Sequence, residues 1–207
     1  DVYKRQPYAD LASFLAGHDS EPARFTAADV LSWNDTASLP LLPTEQSLDV
    51  FAQLRRSPRL DTDDGQSWRA RPDREFDATN QRDLMTFTDD QPEGYWPVFK
   101  GETFDLWSPD RGPETYYAWA EPTAGQDWIY RKRLRAARGG ANAELPLAYR
   151  QQPSTLACLR PRIVFRDITR ATDNRTVRAA LIPGAVFITN KGPYPVSYTH
   201  LTLPTKA

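Results

Sequence analysis

Residues 162–191 read RIVFRDITRATDNRTVRAALIPGAVFITNK, and their pattern predicts the fold class of the C-terminal part of the chain. Its apolar and β-branched residues form three short runs, separated by the turn-forming pairs Asp173-Asn174 and Pro183-Gly184. In the second run, alternate residues from Val177 to Leu181 would face the same side of a strand. We expect a three-strand meander, with strands at residues 162–169, 175–182 and 185–189.

Outside this stretch, helices become more prominent towards the N-terminus. Residues 127–138, DWIYRKRLRAAR, suit a basic helix that ends at Gly139-Gly140. Apolar residues at helical spacing predict a helix over residues 8–17 and another from Thr44 to just before Pro58. Further short strands are predicted at residues 95–99, 104–107 and 115–119. The expected fold class is α+β: N-terminal helices, short mixed or antiparallel strands, a C-terminal three-strand meander and one basic helix.

The composition restricts the class of protein. The chain has 207 residues, which allows one domain with a hydrophobic core, or a domain with an appendage. No apolar run approaches the roughly 20 residues of a membrane span, so no membrane partner is expected. Cys158 is the single cysteine, which argues against an internal disulfide and a thiolate metal cluster. We therefore expect a cytoplasmic protein without a metal site.

The two ends of the chain carry an unusual sequence relationship. Residues 1–6, DVYKRQ, and residues 196–200, VSYTH, can be encoded by opposite strands of one oligonucleotide. Both resemble translated adaptors of a sequencing library, so residues 1–6 and 196–207 are expected to be non-native. The remainder is expected to be a fragment of a longer gene, with a helical linker region at 7–60 and an incomplete recognition region at 61–195.

The charge is unevenly distributed although its sum is close to zero. Residues 1–124 carry 12 basic and 23 acidic side chains, whereas residues 125–192 carry 13 basic and 4 acidic ones. A basic segment in a nearly neutral chain is typical of a face that binds nucleic acid. The alternative is that the basic segment pairs in space with the acidic half.

Several catalytic motifs are absent from the sequence. It contains neither a glycine-rich dinucleotide loop nor a phosphate-binding loop of the Walker type. No two prolines are adjacent, so the Asn-Pro-Pro-Tyr type of motif that holds a flipped adenine is missing. Pro72-Asp73 could open a metal-dependent nuclease motif, but no lysine has an acidic residue two positions before it. These absences favour binding over catalysis.

The remaining pattern suits DNA binding. Arg and Lys contact phosphates, an Arg fork can read guanine, and Asn can read adenine. The candidate DNA-binding residues are Lys100, Arg131, Lys132, Arg133, Arg166, Arg170, Asn174, Arg175, Arg178, Asn190 and Lys191. Alternatively, Arg166 and Asp167 form internal salt bridges that hold the turn. The six tryptophans could stack on bases, but core positions are expected for most of them.

The run RIVFRDITRATDNRTVRAALIP, followed by VFITNK, resembles a region of large adenine-specific DNA methyltransferases from restriction-modification and phage-defence systems. In those type IIG-like enzymes, it lies downstream of the catalytic core. The stretches WRARP, WPVFKGETFDLWSPD, TYYAWA and RKRLRAAR are similar to the same proteins in the same order. The resemblance covers most of residues 43–194.

The resemblance implies an enzyme that binds S-adenosylmethionine, flips an adenine out of the duplex and methylates its N6 atom. The chain lacks the motifs for the cofactor and for the flipped base, so no catalytic or cofactor-binding residue is assigned to it. We expect it to supply target recognition, with duplex DNA and the missing methyltransferase core as partners. The alternatives are a protein-interaction or scaffold module and an RNA-binding module.

Overall fold

A computed structural model describes residues 2–4, 10–18, 23–33, 45–58, 71–135, 141–143, 145–170, 173, 175 and 177–196. The chain forms two compact units, residues 1–59 and residues 60–207. No helix among the described residues is long and apolar enough to cross a membrane.

The described residues of the first unit are mainly helical. Its elements are β1 (Val2–Lys4), α1 (Leu11–His18), β2 (Ala23–Phe25), α2 (Ala27–Trp33) and α3 (Glu45–Leu54), with β1 antiparallel to β2. Helices α1 and α3 confirm the two predicted helices. Helix α2 begins with a reciprocal cap, because Asp29 N–H donates to Thr26 Oγ1 at 3.0 Å and Thr26 N–H donates to Asp29 Oδ2 at 3.1 Å.

The second unit combines short strands with helices, which confirms the α+β class. Its strands are β3 (Arg71–Asp73), β4 (Trp96–Phe99), β5 (Ala118–Ala120), β6 (Arg162–Phe165), β7 (Ala179–Ile182), β8 (Phe187–Ile188) and β9 (Tyr194–Val196). Its α-helices are α4 (Pro122–Arg135) and α5 (Leu147–Arg150). The pairs β6–β7 and β3–β9 are antiparallel, and a third sheet has the order β5-β4-β8.

The prediction of a three-strand meander is wrong for its last strand. Strands β6 and β7 pair as expected, but β8 pairs in parallel with β4, with Val98 opposite Phe187. The reason lies in the segment from Val186 to Thr189, where all four residues are buried. A strand that is apolar on both faces needs cover on both sides, whereas the outer face of β6–β7 leaves Ile163 and Leu181 exposed.

Two other predicted elements are also different. Residues 104–107 form a tight turn instead of a strand, since Asp105 and Ser108 exchange backbone hydrogen bonds of 2.9 and 3.0 Å. The basic helix begins at Pro122, five residues earlier than predicted. Its start is set by Glu121, whose carboxylate accepts the N–H groups of Thr123 and Ala124. Residues 136–140, where this helix was expected to end, lie outside the described residues.

The β5-β4-β8 sheet separates two apolar clusters. Val98 and Phe187 belong to one cluster, and their neighbours Phe99 and Ile188 belong to the other. Successive side chains of a strand point to opposite faces, so both faces of β4 and β8 are covered. Cys158 packs in the first cluster, and burial raises the pKa of its thiol to about 12.

A buried ion pair connects this sheet to the β6–β7 ribbon. Arg162 Nη2 lies 3.0 Å from both carboxylate oxygens of Glu75 and also donates to the Val186 carbonyl at 3.1 Å. Glu75 additionally accepts the N–H of Ile188 at 2.8 Å. Burial raises the pKa of the Glu75 carboxyl, and the charge of Arg162 opposes that rise. The pair thus fixes β6 and β8 to the segment that follows β3.

Replacing Glu75 with alanine leaves the Arg162 guanidinium buried without a counter-charge. We expect Glu75→Ala to lower the free energy of unfolding by about 3–5 kcal/mol. Chemical denaturation monitored by tryptophan fluorescence measures this change. The matched control is the apolar double variant Glu75→Leu/Arg162→Met, which is expected to keep most of the stability because it removes both charges. Equal losses in the two variants would contradict this explanation.

Candidate nucleic-acid interface

The second unit contains an open groove that is rich in cations, which we call the basic groove. Five of its lining residues are basic and two are acidic. The lining residues are Lys100, Gly101, Glu102, Arg111, Thr115, Arg166, Ile168, Arg170, Asp173 and Lys191. Four of the predicted DNA-binding residues, at positions 100, 166, 170 and 191, are therefore brought together by the fold.

The basic groove forms where three strands end. Lys100 directly follows β4, Arg166 directly follows β6, and Lys191 comes three residues after β8. Because β4 and β8 are parallel, their carboxyl ends lie at the same edge of the sheet. The two chain segments approach so closely that a Cβ atom at Gly101 would lie 2.9 Å from the Lys191 carbonyl oxygen. Glycine at position 101 permits this contact.

Asp105 organises one wall of the basic groove. Its Oδ2 atom accepts hydrogen bonds from Arg166 Nη2 at 3.3 Å and from Arg178 Nη1 at 2.9 Å. Arg178 also bonds Asp173 at 3.4 Å, and Asp173 accepts the backbone N–H of Arg170 at 2.8 Å. Arg166 thus makes an internal ion pair, which was the alternative considered from the sequence, but its partner is Asp105 and not Asp167.

A different group of cations remains available to a ligand. Arg170, Arg175 and Lys191 are exposed, and no carboxylate of the described residues lies within ion-pair distance of them. Arg170 and Lys191 line the basic groove, whereas Arg175 does not. Lys100 pairs with Glu102 at 3.0 Å, and this interaction lowers the pKa of the Glu102 carboxyl. Because the Glu102 side chain of this pair is exposed and Lys100 is only half-buried, the pair contributes little stability, so a stronger anion can compete for Lys100.

The basic residues of α4 contribute differently from what the sequence predicted. Arg133 is buried and donates to Gln152 and Thr155, so its assignment to DNA contact is corrected: its donors hold the interior together. Lys132 bonds Asp73 and the Arg74 carbonyl. Arg131 is exposed and pairs with Asp127 at 2.7 Å. None of these three α4 residues lines the basic groove.

The sequence also predicted DNA binding by two asparagines. Asn190 is half-buried, and its side-chain oxygen accepts the Ala78 N–H at 3.3 Å. Asn174 lies outside the described residues.

Sequence reasoning missed two residues of this region. Arg111 lines the basic groove and donates to the Glu102 carbonyl at 3.4 Å. It was missed because it belongs to the acidic half of the chain, where a count of charges hides single cations. Asp105 was missed because its arginine partners are 61 and 73 residues away in sequence. An alignment of related sequences over positions 100–111 could have found both residues.

No protein-family model, curated protein or solved structure matches the chain. The similarity to adenine-specific methyltransferases, inferred from short sequence runs, therefore stays a prediction. Among the described residues, no group of three or more His, Cys, Asp and Glu side chains could hold a metal ion.

The Asp105 network should be a measurable source of stability. Asp105→Ala removes the shared anion of Arg166 and Arg178, whose side chains are only 14% and 19% exposed. We expect the free energy of unfolding to fall by about 2 kcal/mol, since hydrogen bonds to charged groups contribute about 1.5–3 kcal/mol. Asp127→Ala, which removes the exposed partner of Arg131, is the control and should change it by less than about 1 kcal/mol. Similar effects of both substitutions would contradict the special position of Asp105.

Proposed function

We propose that the chain is the DNA target-recognition part of a site-specific adenine-N6 DNA methyltransferase. The catalytic core, which binds S-adenosylmethionine and transfers the methyl group, would lie elsewhere in the same polypeptide, and the enzyme would act in the cytoplasm. The observation that carries this proposal is the basic groove, where the segments following β4, β6 and β8 bring five cations together. The resemblance to adenine-specific methyltransferases supports the choice of DNA as the polyanion.

The arrangement of the cations suits a division of roles. Arg166, which lines the basic groove, and Arg178, which does not, are both held by Asp105 and are mostly buried, so they support the wall of the basic groove. Arg170, Arg175 and Lys191 have exposed side chains that can neutralise phosphates or extend to base edges. Phosphate contacts would set the register of the protein on the duplex, and arginine contacts to bases would select the sequence. The missing core would then act on the adenine at the selected site.

Neutralised phosphates make affinity fall steeply with salt concentration. Each phosphate contact contributes about 0.9 to the negative slope of log affinity against log salt for duplex DNA. We expect the 207-residue chain to bind duplex DNA with such a slope. The double variant Arg170→Gln/Lys191→Gln should make the slope shallower by about 2. Fluorescence anisotropy at several salt concentrations measures both quantities.

The matched control for that experiment is Arg74→Gln/Arg160→Gln. It removes the same charge from two exposed arginines that do not line the basic groove. Its slope should stay close to that of the unmodified chain. Equal changes in the two double variants would contradict a localised interface.

Preference for single-stranded RNA would instead support an RNA-binding module, and salt-independent or absent nucleic-acid binding would support a protein-interaction module.

Arg175 and Arg178 form a second matched pair of positions. Arg175 is exposed and has no ion pair among the described residues, so Arg175→Ala should weaken or relax DNA binding without lowering the melting temperature. Arg178 joins Asp105 to Asp173, so Arg178→Ala should lower the melting temperature. Calorimetry and anisotropy on the same samples separate the two effects. Unchanged binding together with a drop of several degrees for Arg175→Ala would show that Arg175 is structural.

A further inference from the structure

Trp107 differs from the other tryptophans whose side chains the structure describes. It is 98% exposed, whereas Trp119 is 4% exposed and Trp96 and Trp128 are half-buried. The expectation of a core position therefore fails for Trp107, while it holds for Trp119. Indole has a large apolar surface that packing normally removes from water. A fully exposed indole thus gains no stability from burial in this fold.

The backbone at Trp107 is also unfavourable. Its φ angle is +62°, in the left-handed region that bulky L-residues rarely adopt. The residue sits at the tip of the turn that Asp105 and Ser108 close with backbone hydrogen bonds of 2.9 and 3.0 Å. Glycine or asparagine would adopt this conformation with less strain. A strained conformation combined with full exposure points to a function of the side chain outside the folded interior.

The turn that carries Trp107 is firmly attached to the basic groove. Lys100 and Arg111, at the two ends of the loop 100–111, both line the basic groove. Within the loop, Phe104 is fully buried and Asp105 accepts hydrogen bonds from Arg166 and Arg178. The loop is also closed by hydrogen bonds from Thr103 N–H to the Lys100 carbonyl and from Arg111 N–H to the Thr103 carbonyl. The exposed indole is therefore presented by a loop that one buried side chain and several hydrogen bonds attach to the basic groove.

We propose that Trp107 is a stacking residue, which packs its indole ring against an unpaired nucleobase while the DNA backbone occupies the basic groove. This inference rests on the proposed function. To the proposed contacts with phosphates and base edges it adds a contact with the flat face of a nucleobase. Aromatic side chains stack on bases of any sequence, and apolar side chains inserted at base steps stabilise distorted duplexes. A rigid aromatic residue on a fixed loop loses little conformational freedom on binding.

The test compares two duplexes of the same sequence, one fully paired and one with a single unpaired adenine. Trp107→Ala should weaken binding to the bulged duplex about tenfold and to the paired duplex much less. Trp107→Phe should retain most of the affinity, because a phenyl ring can also stack. The salt slope should be the same as that of the unmodified chain, since no charge is removed. Leu147→Ala, which truncates an exposed apolar residue of α5, is the control and should leave both affinities unchanged.

Two further measurements distinguish stacking from a structural role. With 2-aminopurine as the unpaired base, the unmodified chain should quench its fluorescence and the Trp107→Ala variant should not. Trp107→Gly should bind as weakly as Trp107→Ala, yet its melting temperature should not fall, because glycine adopts the left-handed φ without strain. A melting temperature lowered by several degrees would overturn the inference and assign Trp107 to the stability of the fold.

The outcomes also separate this inference from the proposed function. If Trp107→Ala binds both duplexes like the unmodified chain, with the full salt slope, the stacking role is overturned and the basic groove still binds DNA. If the unmodified chain binds neither duplex in a salt-dependent manner, both proposals fail. If Trp107→Ala changes the oligomeric state but not the affinity for DNA, the stacking role is overturned and Trp107 contacts a second protein chain instead.

Discussion

The buried ion pair between Glu75 and Arg162 is the contact on which the second unit depends. It joins β6, the backbone of the Val186–Ile188 segment and the chain that follows β3. Two charges lose their hydration when such a pair is buried, and this cost offsets most of their attraction. The pair therefore favours one placement of the strands more than it raises the net stability of the fold. Another register of β6 would separate Arg162 from Glu75 and leave a charge buried without its partner, and a shift of β8 would take the Ile188 N–H away from Glu75. The positions of the groove cations at 166 and 191 follow from this constraint.

The basic groove is thus a consequence of strand placement rather than of one continuous motif. Strands β4 and β8 are parallel, so Lys100 and Lys191 leave the sheet at the same edge, and Gly101 allows their segments to touch. Asp105 then separates the cations into two groups. Arg166 and Arg178 are bonded to it and keep the wall in place. Arg170 and Lys191, which line the basic groove, and Arg175, which is exposed outside its lining, retain their capacity for an anionic partner.

Local patterns in the sequence predicted much of the fold and part of the site. The α+β class, helices α1 and α3, and the pairing of β6 with β7 depend on short-range periodicity, which the sequence displays directly. The pairing of β8 with β4 could not be predicted, because alternation indicates a strand but does not identify its neighbour. The partners Glu75 and Arg162 are 87 residues apart, and no local signal connects them. Clustering of basic residues likewise did not distinguish buried Arg133 from the exposed cations.

We propose that DNA binds at the basic groove and not along α4. Lysine footprinting tests it directly, because Lys100 and Lys191 line the basic groove whereas Lys132 of α4 is bonded to Asp73 outside it. Acetylation of the 207-residue chain, followed by mass spectrometry, gives the rate at each lysine with and without duplex DNA at low salt. We expect DNA to slow modification of Lys100 and Lys191 and to leave the rate at Lys132 unchanged. Protection of Lys132, with Lys100 and Lys191 reacting as in the free protein, would contradict it.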